Sequence, residues 1–148
     1  MDDQQAQLTE RGVDAIRQFA DRGIRLWGAR TMSSDPEWKY VSTRRYLMFV
    51  ERSIGEGTQW VVFEPNDARL WQRVTDSIRL FLRKQWRAGA LIGSTEDQAF
   101  FATCDRTTMT DDDIANGRLV CNVGIAPVRP AEFVIIRISH LTSDWPPR

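Results

Sequence analysis

The sequence predicts an α+β fold: a mixed β-sheet flanked by two main helices, in the rough order β-α-β-α-β-β-β, with extended terminal arms. Three observations carry this expectation. Leu70, Val74, Ile78, Phe81, Leu82 and Trp86 recur at the 3.6-residue spacing of an amphipathic helix. Leu119, Cys121, Val123 and Ile125 alternate as a half-buried strand does. Trp60-Val61-Val62-Phe63 is a short apolar run, too short and too rich in β-formers for a helix.

The elements follow in order. Residues 1–11 form a polar arm with no core-forming pattern. Gly12 to Arg30 is arranged around the turn signal Asp21-Arg22-Gly23, and Ile24-Arg25-Leu26-Trp27 reads as a strand that Gly28 interrupts. A helix starts at Ser42 or Thr43, either of which can cap it. Its apolar face holds Leu47, Val50 and Ile54, and Gly55 and Gly57 end it. Thr58 to Phe63 is the next strand, buried and short. The second helix begins after Asn66 and closes at Gly89. Thr95-Glu96-Asp97-Gln98 has the spacing of a capping box and predicts a helical turn before Ala99-Phe100-Phe101-Ala102-Thr103-Cys104, which puts Cys104 on a predicted strand. Strands then run through Leu119–Ile125 and Phe133–Ile138, joined by Pro127 to Ala131.

Bulk properties narrow the function. The chain has 148 residues, 42% apolar and 27% charged, which suits one folded domain with a core. Twenty basic and twenty acidic residues cancel, so net charge gives no reason to seek nucleic acid or anionic lipid. No apolar run reaches the roughly 20 residues of a membrane span. The first residues are polar and acidic, unlike a signal peptide. Cys104 and Cys121 are too few for a disulfide framework or a zinc site and read as buried thiols of an intracellular protein. His140 is the one histidine, which limits acid–base chemistry. Six tryptophans suit a large core or surfaces buried against neighbours.

Four constellations invite a chemical reading, and each has a structural competitor. Glu64-Pro65-Asn66-Asp67 closes an apolar run, where α/β enzymes often keep carboxylates. Turn chemistry accounts for it fully: Pro65 keeps Phe63-Glu64 extended, Asn66 caps a helix, and Asp67 meets the helix dipole. No Ser, Cys, Lys or His stands nearby in sequence to complete a triad. Asp111-Asp112-Asp113 lacks the alternating oxygen ligands and glycine of a calcium loop, and reads as an acidic helix start before Ile114 that Asn116-Gly117 ends. No metal or other cofactor is expected. Arg79, Arg83 and Arg87 form one line on the second helix, with Lys84 and Arg73 adding to it. That line is a solvated face or an electrostatic contact surface, for which an acidic protein suits better than nucleic acid. Phe133, Val134, Ile135, Ile136, Arg137, Ile138 and Ser139 are apolar on both faces; such a strand is either central or meant to be covered by another chain.

These residues carry a family resemblance. Gly23 to Thr31 (GIRLWGART), Asp35 to Arg45 (DPEWKYVSTRR), Gly57 to Asp67 (GTQWVVFEPND), Leu70-Trp71 and Gly117 to Ile138 resemble the C-terminal domain of contractile phage tail sheath proteins. The domain also occurs in R-type pyocins and antifeeding prophages. The resemblance covers about Gly12 to Ile138. It implies a structural polymer rather than an enzyme. Sheath subunits assemble helically around an inner tail tube, and contraction drives the tube through a target envelope. It further implies that extended terminal arms of neighbours add strands to this domain's sheet. Residues 12–138 would be the domain and residues 139–148 the C-terminal arm. Thr142 to Arg148, with Trp145 and two prolines, depart from the family's usual ending and receive no role. The usual outer domains do not precede this segment, so the chain is either an excised domain or a minimal sheath protein.

The implied partners are copies of itself or sheath paralogues, the inner tail tube protein and the baseplate, with no nucleic acid and no membrane insertion. The implied location is the cytoplasm of the producing cell during assembly, then a phage tail or a released contractile particle. Two competing readings remain. One is a non-contractile tail or baseplate adaptor on the same domain. The other is an enzyme using Glu64 or the aspartate run.

Overall fold

The computed structural model describes residues 2–130. Its elements are α1 (Asp2–Glu10), β1 (Ala15–Phe19), β2 (Gly23–Trp27), α2 (Val41–Gly57), α3 (Ala68–Arg87), α4 (Glu96–Ala99), β3 (Phe100–Thr103), α5 (Asp111–Ala115) and β4 (Asn122–Ile125). The class is α+β with two main helices, as predicted. The described strands pair antiparallel in two separate ladders, β1 with β2 and β3 with β4.

The core is built on α3. Leu70, Trp71, Val74, Ile78 and Leu82 of its stripe are buried, and Leu82 is fully enclosed at 0% exposure. They pack with Val50 of α2, Leu91, Ala99, and Phe100 and Ala102 of β3, with Val123 and Ile125 of β4 partly buried against them. Burying one such aliphatic side chain contributes about 1.5–3 kcal/mol. β3 alternates as a half-buried strand should: Phe100 and Ala102 point in, and Phe101 points out. Phe101 stands opposite Gly124. A Cβ on Gly124 would lie 2.1 Å from the Phe101 ring, so the glycine gives that ring its bed.

Two indole N–H groups find the partners that burial demands. Trp71 Nε1 donates to Asn66 Oδ1 at 2.7 Å, and Trp86 Nε1 to the Gly93 carbonyl at 2.9 Å. The end of α3 is as expected: Gly89 has φ 79°, its N–H donates to Trp86 O, and Ala90 N–H donates to Gln85 O. This paired closure satisfies carbonyls that the helix leaves open, and it needs a left-handed residue that glycine supplies without strain. Ala126 and Val128 bond to the strip after Gly89, Ile92 N donating to Ala126 O and Val128 N to Ala90 O, with Pro127 opposite Leu91.

Several expectations fail, each for a local reason. Asp2–Glu10 is helical rather than an extended arm; Thr9 Oγ1 bonds back to Gln5 O at 2.8 Å, and Arg30 Nη1 donates to Thr9 O. α2 starts after Tyr40, with no side-chain cap, so Ser42 and Thr43 lie inside its first turn. Gly55 and Gly57 are both within α2; Thr58 terminates it, its hydroxyl bonding Ile54 O at 2.8 Å. Thr58 to Phe63 is not a strand: Gln59–Val61 is a 3-10 turn and Val62 and Phe63 are exposed. The element order therefore has two strands before α2 and none between α2 and α3. Thr95 starts the α4 turn but its side chain makes no capping bond. The expected strand Phe133–Ile138 lies outside the described residues.

Candidate functional site

The β1–β2 hairpin is exposed along most of its length. Its register pairs Ala15 with Trp27, Ile16 with Leu26 and Phe19 with Gly23. One face carries Phe19 and Trp27, whose ring centroids lie 4.7 Å apart. The other carries Ile16, Ile24 and Leu26, which are 76%, 67% and 65% exposed. The pairing forces this: Ile16 opposes Leu26 and Gln18 opposes Ile24, so these residues share one side. Among the described residues, neither outer edge of the hairpin carries a ladder partner. An open edge presents unpaired N–H and C=O groups, and a lone two-stranded hairpin is marginal in water.

The Glu64–Asp67 turn is structural in its details, with the roles shifted by one residue from expectation. Asp67, not Asn66, caps α3: Asp67 Oδ1 accepts from Arg69 N at 3.0 Å and Leu70 N at 2.9 Å. Asn66 holds the Trp71 indole and donates Nδ2 to Arg118 O at 3.1 Å, tying α3 to the chain after α5. Glu64 faces Arg73 at 3.9 Å. Just before it, Glu64 N donates to Val61 O at 3.0 Å, closing a turn with Val62 at φ −61°, ψ 127° and Phe63 at φ 73°. That is a type II turn with a phenylalanine at the position glycine normally takes.

The basic line on α3 is partly occupied within the chain. Arg83 grips Glu96 with two bonds, Nε at 2.7 Å and Nη2 at 2.9 Å, and Arg79 reaches the same carboxylate at 3.4 Å. The Arg83 hydrogen bond holds the Glu96 carboxyl below its ordinary range, against the opposing effect of burial. The line thus pins the α4 turn to α3. Arg87 lies in the last turn of α3, without an ion-pair partner among the described residues.

The aspartate run is an acidic helix start, as expected, and it too is spoken for. Thr110 caps α5, and Thr110 and Asp113 exchange bonds in a capping box that the sequence reading missed. Arg118 binds Asp113 at 2.8 Å and Asp112 at 2.5 Å, and Arg106 pairs with Asp111. Hydrogen bonds from Thr110, then Arg118, lower the Asp113 carboxyl from 3.8 to about 2. Among the described residues, no group of three or more His, Cys, Asp or Glu side chains is placed to hold a metal ion.

Cys104 and Cys121 face each other as free thiols, extending the β3–β4 register by one pair. Burial raises both, and Cys121 reaches about 12, with Cys104 adding to the effect. They behave as small core residues. Phe133 to Ser139, His140 and Thr142 to Arg148 lie outside the described residues. No described helix is long and apolar enough to cross a membrane.

The family model of the phage tail sheath C-terminal domain matches residues 33–140. A prophage major tail sheath protein of Pseudomonas aeruginosa (strain UCBPP-PA14) is 31% identical over 125 residues, covering 84% of this chain and 31% of that protein. The chain thus spans about a third of that relative's length. A chain in the cryo-EM structure of the anti-feeding prophage (AFP) baseplate superposes with TM-score 0.88 and 40% identity, over 95% of this chain and 39% of that one. A chain of the AFP helical sheath in its contracted state gives TM-score 0.84 and 41% identity, over 94% and 39%.

Proposed function

Because this chain belongs to the phage tail sheath C-terminal domain family, we propose that it is a structural, non-catalytic module of a contractile tail sheath, polymerising helically around an inner tube and contracting to drive that tube through a target envelope. The observation that carries this reading is the β1–β2 hairpin, whose outer edges carry no ladder partner among the described residues and whose one face is apolar and exposed. Strand addition at such an edge supplies main-chain hydrogen bonds with few side-chain demands, so a joint can pivot while it stays paired. A head-to-tail contact that does not close produces an open helix. Contraction needs no nucleotide if the second packing buries more apolar surface, at about 25 cal/mol per Å².

In this reading residues 12–138 form the domain, and Phe133–Ser139 of one copy pairs with a neighbour. Its partners are copies of itself or sheath paralogues, the tube protein and the baseplate, with no role for nucleic acid or membrane insertion. It assembles in the cytoplasm of the producing cell and ends in a phage tail or released particle. Arg87 is the member of the α3 line best placed for an electrostatic contact, since Arg79 and Arg83 already hold Glu96. The Asp111–Asp113 run is a weaker candidate, being bound by Arg106 and Arg118.

The likeness to a chain in a baseplate structure supports a second reading, a non-contractile baseplate adaptor. Electron microscopy of the complete protein separates the two. The sheath reading expects helical tubes in two lattice states. Closed rings alone would favour the adaptor, and monomers alone across salt and pH would overturn both.

A further inference from the structure

We infer that Cys104 and Cys121 form an oxidation site: the two thiols are placed to close into a disulfide that locks the β3–β4 ladder within one chain. The strand register makes the case. Ala126 N–H donates to Ala99 O at 2.9 Å, so Ala99 and Ala126 occupy a hydrogen-bonded position of the antiparallel pair. Such positions alternate with non-hydrogen-bonded ones. Counting along the ladder, Phe101 with Gly124 and Thr103 with Asn122 are hydrogen-bonded positions. Cys104 and Cys121, the next pair, therefore stand at a non-hydrogen-bonded position. There opposite Cα atoms lie about 4.5 Å apart, and side chains approach most closely. A disulfide spans Cα separations of about 4.4–6.8 Å.

Thr108 holds the two backbones level beyond the pair. Its hydroxyl accepts from Asp105 N at 3.1 Å and donates to Val120 O at 2.7 Å, so it bridges the next position of the register. The sulfurs are thus fixed from both sides, with Cys104 buried in the core and Cys121 packed against it. Burial raises both thiols, Cys121 to about 12, and the hydrogen bond between them offsets part of the rise at Cys104. Thiols that seldom ionise react slowly. That suits a clasp that forms once and stays closed, not a rapid sensor. Hydrogen peroxide balances the step. One thiolate attacks it and becomes a sulfenic acid, releasing water once the thiol proton is counted; the second thiol then displaces another water and forms the S–S bond. The two thiols lose two hydrogens, and the peroxide is reduced to two waters. The closed loop carries α5, and the short ladder gains a covalent end. The clasp belongs to the domain itself, in whichever assembly the chain serves.

The test exposes the folded full chain to hydrogen peroxide, then alkylates the remaining thiols under denaturing, non-reducing conditions for intact-mass analysis and peptide mapping. Loss of two hydrogens, no alkylation, and a Cys104–Cys121 link within one chain that dithiothreitol reverses are expected. The oxidised chain's Tm should exceed the reduced chain's by about 5 °C or more, because the link constrains the unfolded state. Cys121→Ser should fold and show no such rise under peroxide; Cys104→Ala serves the same purpose should the serine variant not fold. Both thiols remaining alkylatable, under conditions that fully oxidise the unfolded chain, would mean that the sulfurs do not meet. Links between copies, sulfinic acid at either sulfur, or a link that leaves Tm unchanged would each overturn the clasp as well. None of these outcomes touches the sheath reading, which tube formation decides separately.

Discussion

Asn66 and Asp67 show how finely single residues divide the work at a helix start. Both are good caps by type, and sequence alone prefers Asn66. The structure gives the cap to Asp67 because Asn66 is drawn inward by the Trp71 indole. Asp67→Ala should therefore cost about 1 kcal/mol in thermal or denaturant unfolding. Asn66→Ala leaves a buried indole N–H without its acceptor and should cost about 1–3 kcal/mol, with a changed Trp emission. Asn66→Asp, which keeps an acceptor oxygen, should recover most of that loss. Asp113 makes a pH prediction. Its folded carboxyl titrates near 2 rather than 3.8, so the unfolded chain takes up the proton first. The stabilisation is complete above about pH 4 and disappears as pH falls toward 2. Asp113→Asn should flatten that part of the stability–pH curve; an unaltered curve would show that Thr110 and Arg118 do not hold the charge.

Elements were legible where packing and pattern agree. The α3 stripe, the Gly89 stop and the Leu119–Ile125 alternation all meet the core as their spacing requires. Leu82→Ala, at the fully enclosed centre of that stripe, should destabilise by about 2–5 kcal/mol without altering helix content at low temperature. Thr58 to Phe63 was not legible, because an apolar run of that length has no internal sign of which way it faces. Its fate is set by the Thr58 closure of α2 and by the turn at Phe63, neither of which hydrophobicity encodes. α1 was missed for the opposite reason: its residues are polar all round, and Gly12 at φ 71° was the available stop signal. Of the candidate site, the arginine line was visible as a line, while its engagement with Glu96 required the fold to bring residues 13 and 17 positions apart together.

On the scale of the whole molecule, assembly should depend on surfaces that stability ignores. Replacing Ile24 and Leu26 together by Lys should leave Tm within a degree or two, because both are exposed, yet prevent polymer formation. Normal tubes from that double variant would dismiss the hairpin as a joint. Arg87→Glu should weaken assembly more at low salt than at high salt, since exposed charges are screened over about 8–10 Å. Truncation after Ile138 should leave the domain folded while abolishing polymers.

The bonding of Ala126 and Val128 to the strip after Gly89 has a mechanical consequence. Tension arriving through Pro130 meets those two main-chain bonds before it reaches the β3–β4 ladder. It is thereby delivered to the C-terminal tip of α3, a rod of 20 residues and about 30 Å. A pull applied at Pro130 would thus be shared with α3, the longest helix among the described residues, before it loads the short ladder.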